Sequence, residues 1–488
     1  MITTEVIISV FGILLLILNM TFAITIIFFE RRDIGSTWAW LLVLFFLPLV
    51  GFFIYIFFGR LIKSNNFYQV DEERRIEYAH HVQDQLDELD ARQDLFTSDP
   101  LLSKYRRLAR LNLLSTNALV TYHNAIQVIH DGEQKFEALF HDIESATREI
   151  NIQYYIIQND SLGQALIAAL TERAKQGVRV RLLYDAVGSR GLRRHHFKQL
   201  LAYGGEVKSF FPSRLGINFR VNNRNHRKLC VIDGEIGYIG GFNVGNEYLG
   251  TNRQFGYWRD VHLRIRGEAV RELLERFLLD WNRSVPTRQK TEKEALVWPQ
   301  ATLDPFATPV QIVTSGPNST TEHLKNMLVK MITEAKDSIY IQTPYFIPDA
   351  SFLDACRIAL MSGTKIHLMI PNKPDHMFVY WATYANAAEL VRYGADVYTY
   401  EGGFLHAKTL VIDGEVASIG TTNIDARSFH LNFEISALVY DETVARSVIE
   451  AFERDKTCAE RLTIERYETR TKWIRFKESV SRLLSPIL

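Results

Sequence analysis

The chain has 488 residues, 47% of them hydrophobic, with 56 basic and 56 acidic side chains and a formal charge of zero. That size and apolar content supply two or more domains with their own cores, at roughly 150 residues each, and exclude a disordered chain. Zero net charge gives no global field for a polyanion, so nucleic acid is not expected and partners have to be argued from local sites. Cys230, Cys356 and Cys458 are too scattered for a zinc or disulfide framework and read as packing residues in a reducing compartment.

Val6 to Phe29 carries no charge, and at ~1.5 Å per residue such a helix crosses a hydrocarbon layer of about 30 Å. Glu30-Arg31-Arg32-Asp33 interrupts it. A second apolar run, Trp38 to Phe58, has Trp38 and Trp40 where an interfacial aromatic belt would sit and Arg60 and Lys63 beyond it. The expectation is a two-helix transmembrane hairpin over 1–60. A signal peptide fits less well, because no basic residue precedes the first run and a second run follows. Basic residues after the second run slightly outnumber those in the connection, which favours a multi-pass cell-membrane protein with its body on the cytoplasmic face.

Residues 61–118 are charged and helical in pattern and read as a juxtamembrane connector. From 119 the chain repeats itself. The strand-like EINIQYYII, a helical stretch and VRVRLLYD in one copy match SIYIQTPYFI, a helical stretch and TKIHLMI in the other. Alternating strands and helices imply two α/β lobes, 119–300 and 301–488, with a polar, proline-containing boundary near 290–308.

HRKLCVID at 226–233 returns as HAKTLVID at 406–413. Each copy supplies a histidine, a lysine two residues on, an aspartate, then glycine and asparagine: His226, Lys228, Asp233, Gly240, Gly241 and Asn243; His406, Lys408, Asp413, Gly420 and Asn423. In an extended strand residues i and i+2 share a face, so each imidazole lies beside an ammonium. Four basic groups converging with two amides suit a phosphodiester. One imidazole can attack phosphorus while the other handles the proton of the departing or incoming hydroxyl, and this chemistry requires no metal or cofactor. Asp233 and Asp413 fall out of phase with their histidines and read as turn or supporting residues. Asp260 in GYWRD and Glu434 in LNFE, about thirty residues beyond each histidine, are better placed to orient an imidazole. Arg193-Arg194-His195-His196 reads as a solvated helix face, and no HExxH, P-loop, GxSxG or EF-hand pattern occurs.

At these residues the chain resembles the phospholipase D superfamily, whose double HxKxxxxD motif this is, over about 119–488. The apolar runs, the sequels GGFNVGNEY and GTTNIDARSF, YWRD and the ending SRLLSPIL are similar to those of bacterial cardiolipin synthases. That resemblance implies a two-lobed α/β fold of pseudo-twofold symmetry with its site between the lobes. The catalytic set would be His226, Lys228, Asp233, His406, Lys408 and Asp413, supported by Asn243, Asn423, Asp260 and Glu434. It further implies transfer of a phosphatidyl group between two phosphatidylglycerol molecules, giving cardiolipin and glycerol. By analogy His226 is the nucleophile and His406 the acid and base, with a symmetry that permits exchange. Thr421-Thr422 stand where serine is frequent, which keeps a hydroxyl. A membrane phospholipase D using water is the alternative. A nuclease fits zero charge and two apolar runs poorly, and a silent scaffold does not fit four intact histidines and lysines. Acceptor choice is assigned to loops such as 214–225. In the tail, Trp473, Phe476, Val480, Leu483, Leu484 and Ile487 recur at helical spacing among basic residues, as in an interfacial amphipathic helix or one packed on its own domain.

Overall fold

The computed structural model describes residues 4–30, 34–59, 62, 67–68, 72–91, 99–212, 222–251, 255–286, 308–319, 321–373, 375 and 377–484. The connection at 31–33, the expected boundary around 287–307, loop residues 213–221 and the last four residues lie outside that set. The chain divides into two compact units, one of residues 1–67 with 211–223, the other of 68–210 with 224–488.

In the smaller unit the first apolar run is one continuous rod, Thr4–Ile24 extended by a π-helical turn Thr25–Phe29. Its stretch Ile8–Phe29 is long and apolar enough to cross a membrane. The second run departs from the expected single span. It is two shorter helices, Ile34–Phe46 and Pro48–Ile54, the latter prolonged by the turn Tyr55–Gly59. Leu47 leaves helical geometry at φ −126°, ψ 62°, and Pro48 has no N–H to continue the ladder. The two pieces then run back along each other. Trp40 and Tyr55 lie with ring centroids 5.4 Å apart, whereas fifteen residues of unbroken helix would separate them by ~22 Å. A Cβ on Gly51 would sit 2.6 Å from the Val43 carbonyl oxygen, so only glycine allows this approach. The first helix seals the fold. Asn19 Nδ2 donates to the Pro48 carbonyl at 2.9 Å, Phe22 packs 4.7 Å from Tyr55, and the Tyr55 hydroxyl donates to Glu30 at 2.8 Å.

The larger unit contains two mixed sheets built alike. The first runs, edge to edge, Asn124–Ile129, His262–Gly267, Ile236–Gly240, Leu229–Ile232, Glu149–Tyr154, Arg179–Asp185, Glu206–Phe210. The second runs Val120–Thr121, Val310–Ser315, Asn432–Tyr440, Val416–Gly420, Thr409–Ile412, Ser338–Gln342, Lys365–Pro371, Asp396–Tyr400, Ala459–Leu462. Without its two edge additions the second order repeats the first strand for strand. In both, the strand after the histidine pairs antiparallel with the first strand of the βαβ unit, which pairs parallel with the next. Central strands such as Leu229–Ile232 and Thr409–Ile412 are buried on both faces, which explains their unbroken apolar runs.

The described helices of the stretch read as a connector are packed rather than free. Helix Glu72–Ala91 places Val82, Leu86 and Leu89 in one core with Leu108 and Leu113 of Arg106–Thr116 and with Met327 and Met331 of the second lobe. Gln85 holds both the N–H and the carbonyl of Val120, whose short strand joins the second sheet although it opens the segment expected to form the first lobe.

Candidate active site

Each histidine sits just ahead of a central strand, where the chain first crosses to the other lobe. Arg224–Asn225 pairs parallel with Asn432–Tyr440 of the second lobe, and the His226 N–H donates to the Phe433 carbonyl at 2.9 Å. Gly403–Leu405 pairs parallel with Tyr257–Arg259 of the first lobe, and the His406 N–H donates to the Arg259 carbonyl at 2.7 Å. The alternation expected from i and i+2 is enforced by the intervening residues. Asn225 bonds Gln153 and Asp280, and Arg227 is buried in an ion pair with Asp280 at 2.7 Å. Those anchors hold Asn225 and Arg227 on one side of the extended chain, leaving His226 and Lys228 on the other.

Asp260 and Glu434 do bond imidazoles, but each serves the histidine of the opposite lobe. Glu434 takes His226 Nδ1 at 3.0 Å, and Asp260 takes His406 Nδ1 at 2.5 Å. A carboxylate on Nδ1 fixes the N–H there and leaves Nε2 as the free lone pair. The cause is the crossed strand pairing: the residue after each strand-donated carbonyl, Phe433 or Arg259, carries the carboxylate.

The basic groups lie in one buried cluster. Lys228 Nζ caps the His226 carbonyl at 2.7 Å, Lys408 Nζ likewise caps that of His406, and Lys408 Nζ stands 3.9 Å from Asp260. Burial lowers His406 to about 3, with Lys408 and Lys228 adding to it and Asp260 opposing. Burial also holds His226 below its ordinary value, against the pull of Glu434. Both imidazoles rest neutral, as a nucleophile must. Burial brings Lys228 down to about 7 and Lys408 to about 8, with the carboxylates opposing and, at Lys228, the Lys408 charge assisting. On Asp260 and Glu434 burial pushes upward, but the lysine and histidine of each pair outweigh it and both carboxyls end below their ordinary range. Two lysines and two imidazoles gathered in one buried cluster, with both carboxylates turned to the imidazole Nδ1 atoms, suit an anionic ligand.

Asn243 is fixed by accepting the Ile156 N–H and donating to the Tyr248 hydroxyl at 2.9 Å, whereas Asn423 is buried with its oxygen unpartnered among the described residues. Asp233 and Asp413 do not reach this cluster. Both stand at the far end of their strands in left-handed turns at φ 53°, each before a glycine. The Asp233 carboxylate accepts the N–H groups of Thr147, Arg148 and Glu149, and Asp413 those of Lys336, Asp337 and Ser338. Their place in the catalytic set is corrected accordingly: they cap the chain entering the neighbouring strand. Arg194–Phe197 is a short 3₁₀ turn with His195 and His196 exposed or half-buried, as a solvated face requires.

Several neighbours carried no spacing signal. The Tyr155 ring packs 4.8 Å from His226, and Trp258 lies 5.1 Å from His406. Thr421 donates its hydroxyl to Glu434 at 2.5 Å. Its counterpart is Gly241, where a Cβ would fall 2.0 Å from Asp260 Oδ1; the first copy needs glycine there because the carboxylate occupies that space. Among the described residues no group of three or more His, Cys, Asp or Glu is arranged to hold a metal ion.

Two lobes of one topology, with paired histidines and lysines meeting across them, define the phospholipase D class. The solved phosphatidylserine synthase of Haemophilus influenzae Rd KW20 shares the fold, at TM-score 0.61 and 14% identity, covering 78% of this chain and all of that one. A model described as "Cardiolipin synthase, PLD-like domain" matches residues 139–281 and 328–456, and one described as "Phospholipase_D-nuclease N-terminal" matches 17–60. The major cardiolipin synthase ClsA of Bacillus subtilis (strain 168) is 49% identical over 480 residues, 97% of this chain and 98% of that protein. A cardiolipin synthase of Staphylococcus aureus (strain N315) is 49% identical over 473 residues, covering 97% and 95%. The chain belongs to the cardiolipin synthase family of phospholipase D-like phosphatidyltransferases.

Proposed function

We propose that the protein transfers a phosphatidyl group from one phosphatidylglycerol to the free hydroxyl of another, forming cardiolipin and glycerol through a phosphohistidine. The observation that carries this reading is the pair of neutral imidazoles, each with Nδ1 held by the other lobe's carboxylate, around two buried lysines. In the first step Nε2 of one histidine forms a bond to phosphorus and the bond to the glycerol oxygen breaks. The other imidazole, protonated once the anionic phosphate offsets the lysine charges, gives its proton to that oxygen. In the second step the same imidazole takes the proton of the incoming hydroxyl, whose oxygen bonds phosphorus as the P–N bond breaks. Lys228, Lys408 and Asn423 hold the equatorial oxygens, where charge gathers in the transition state. Asp260 and Glu434 stabilise each imidazolium as it forms.

Membrane association accompanies this chemistry, because both substrate and product are diacyl lipids. The first apolar helix is read as one crossing. The paired short helices after it are each ~20 Å or less, and together they enter and leave on one side, with Pro48 at the tip against Asn19 midway along the crossing helix. This re-entrant passage replaces the two-span hairpin. It leaves Glu30 and Gly59 on the same face, here assigned as cytoplasmic together with the chain that follows.

Purified protein in vesicles of phosphatidylglycerol alone tests the reading. Lipid mass analysis is expected to show cardiolipin and glycerol in equal amounts; phosphatidic acid with no cardiolipin would establish a hydrolase instead.

A further inference from the structure

The two halves of the site are alike in chemistry and unlike in their surroundings. Two residues before the histidines stand Arg224 in the first copy and Phe404 in the second; four residues after the asparagines stand Glu247 and Arg427. His406 is accordingly walled by aromatic rings, with Trp258 and Phe404 centroids 5.1 and 6.1 Å away. Arginines gather on the side of His226. The proposed product carries two phosphodiesters bridged by one glycerol, and the histidine–lysine centre accounts for one of them.

We propose that Arg224 and Arg427 form a second anion subsite, which holds the phosphodiester of the acceptor lipid while its glycerol hydroxyl is presented to the central phosphorus. The proposal rests on the transfer reading above and names where the acceptor binds.

Alternation places Arg224. Asn225 and Arg227 are tied to Asp280 on one side of the extended chain, so Arg224 shares the opposite side with His226 and Lys228. Its strand partner across the lobes is Asn432, two residues from Glu434. Arg224 is half-buried, and its Nη1 is out of water with no hydrogen-bond partner among the described residues. A buried guanidinium nitrogen without a partner is costly unless something arrives to accept its hydrogen bond. Arg427 approaches from the second lobe on the short helix Ala426–His430, which Asp425 caps through the Ser428 N–H at 2.6 Å. That helix leads directly into Asn432–Glu434, so both arginines flank one end of the same strand. Their charges are felt together. Burial holds the Arg224 guanidinium below its ordinary value, with Tyr155 and Asp185 opposing and Arg427 and Arg190 assisting. Of the carboxylates near the two arginines, Asp185 beside Arg224 is engaged by the N–H groups of Val187, Gly188 and Asn225, and Asp425 beside Arg427 by that of Ser428. Guanidiniums in such a cluster match a phosphodiester's two free oxygens, and a three-carbon bridge is all that separates those oxygens from the reacting hydroxyl.

The experiment offers vesicle-borne phosphatidylglycerol as donor with two competing acceptors, phosphatidylglycerol itself and a short primary alcohol that has no phosphate. The ratio of cardiolipin to phosphatidyl-alcohol is read for the wild type, R224Q, R427Q and the charge-keeping R224K. Loss of one charge-assisted hydrogen bond is expected to lower that ratio about tenfold in each glutamine variant, with R224K recovering part of it. A ratio equal to wild type, whether both products persist or both fall together, overturns the subsite. Inorganic phosphate should compete against cardiolipin formation more than against alcohol transfer in the wild type. If it binds in an Arg224-dependent way without affecting either product ratio, the site serves a free anion and the acceptor assignment is wrong. A wild type that forms phosphatidyl-alcohol but no cardiolipin would instead remove the transfer reading on which the proposal rests.

Discussion

Glu434, in the second lobe, accepts a hydrogen bond from the Nδ1–H of His226, in the first, while Asp260 of the first lobe does the same for His406 of the second. Neither lobe therefore contains a complete histidine–carboxylate pair, and the lobes must be docked for either imidazole to be oriented. E434Q is expected to cut turnover by about 10²–10⁴-fold, and to lower the alkylation rate of His226 while leaving that of His406 unaltered. D260N is expected to lower that of His406 and leave His226 unaltered. Peptide mapping after brief treatment with a histidine reagent distinguishes the crossed pairing from one within each lobe, for which the changes would exchange.

Turnover should depend on the two lysines in a pH range unusual for them. Their values near 7 and 8 mean that the free enzyme loses its anion-binding charge as pH rises through that window. An alkaline limb in kcat/KM is expected there, and because bound phosphate favours the charged forms, the limb in kcat should lie higher. The stability term has its own sign. Both values are depressed relative to an unfolded lysine, so unfolding stability should increase as pH rises from the folded values toward the ordinary range near 10.4. A kcat/KM profile flat up to that ordinary range would contradict the burial of these groups as charged anion ligands.

Asp233 and Asp413 should behave as fold residues. Alanine at either position removes a carboxylate that gathers three backbone N–H groups, and about 1–3 kcal/mol of stability should go with it. Burial raises the Asp233 carboxyl, but those N–H bonds win and hold it below its ordinary value, so its contribution is present above the unfolded pKa and lost as pH falls through the folded one. Denaturant melting should show the loss, and kcat of the folded fraction should stay within a few-fold. A collapse of kcat without loss of stability would return these residues to the chemistry.

The re-entrant passage makes a topological claim. Single cysteines placed before Thr4 and at Gly59 should react with a membrane-impermeant thiol reagent from opposite sides of sealed vesicles, in a background with Cys230, Cys356 and Cys458 replaced. Labelling of both from one side would restore the two-span hairpin. Pro48→Ala should weaken the turn without converting one arrangement to the other, since Gly51 and the Asn19 bond remain.

Much of the catalytic cluster was legible before any coordinates because a strand forces residues two apart onto one face, and the chain states His-x-Lys twice. The carboxylates were legible as residues but not as partners. Asp260 and Glu434 lie at similar distances along the chain from their own histidines, and only the parallel pairing of Arg224–Asn225 with Asn432–Tyr440 and of Gly403–Leu405 with Tyr257–Arg259 decides which imidazole each meets. Such pairing leaves no local signature. The contacts of Tyr155 with His226 and of Trp258 with His406 have no local signature for the same reason. The broken second apolar run had a signal, Pro48 in the middle of an otherwise uniform stretch, outweighed there by length and hydropathy. The packing of helix Glu72–Ala91 had one as well, in Val82, Leu86 and Leu89 on one helical face among many charges. The tail helix Lys472–Leu484 keeps both readings: it packs along Met377–Val391, with Lys477 over the Trp381 ring and Arg482 3.8 Å from Glu389, yet leaves Trp473 and Phe476 63% and 56% exposed.

The covalent intermediate gives the most direct measurement. Phosphatidylglycerol labelled in its phosphate, mixed with enzyme and quenched in denaturant within a turnover, should leave label on one imidazole, His226 or His406, located by peptide mass spectrometry. The label should chase into cardiolipin when unlabelled phosphatidylglycerol is added. Steady cardiolipin formation with label on neither histidine, or undiminished in H226A or H406A, would contradict the account.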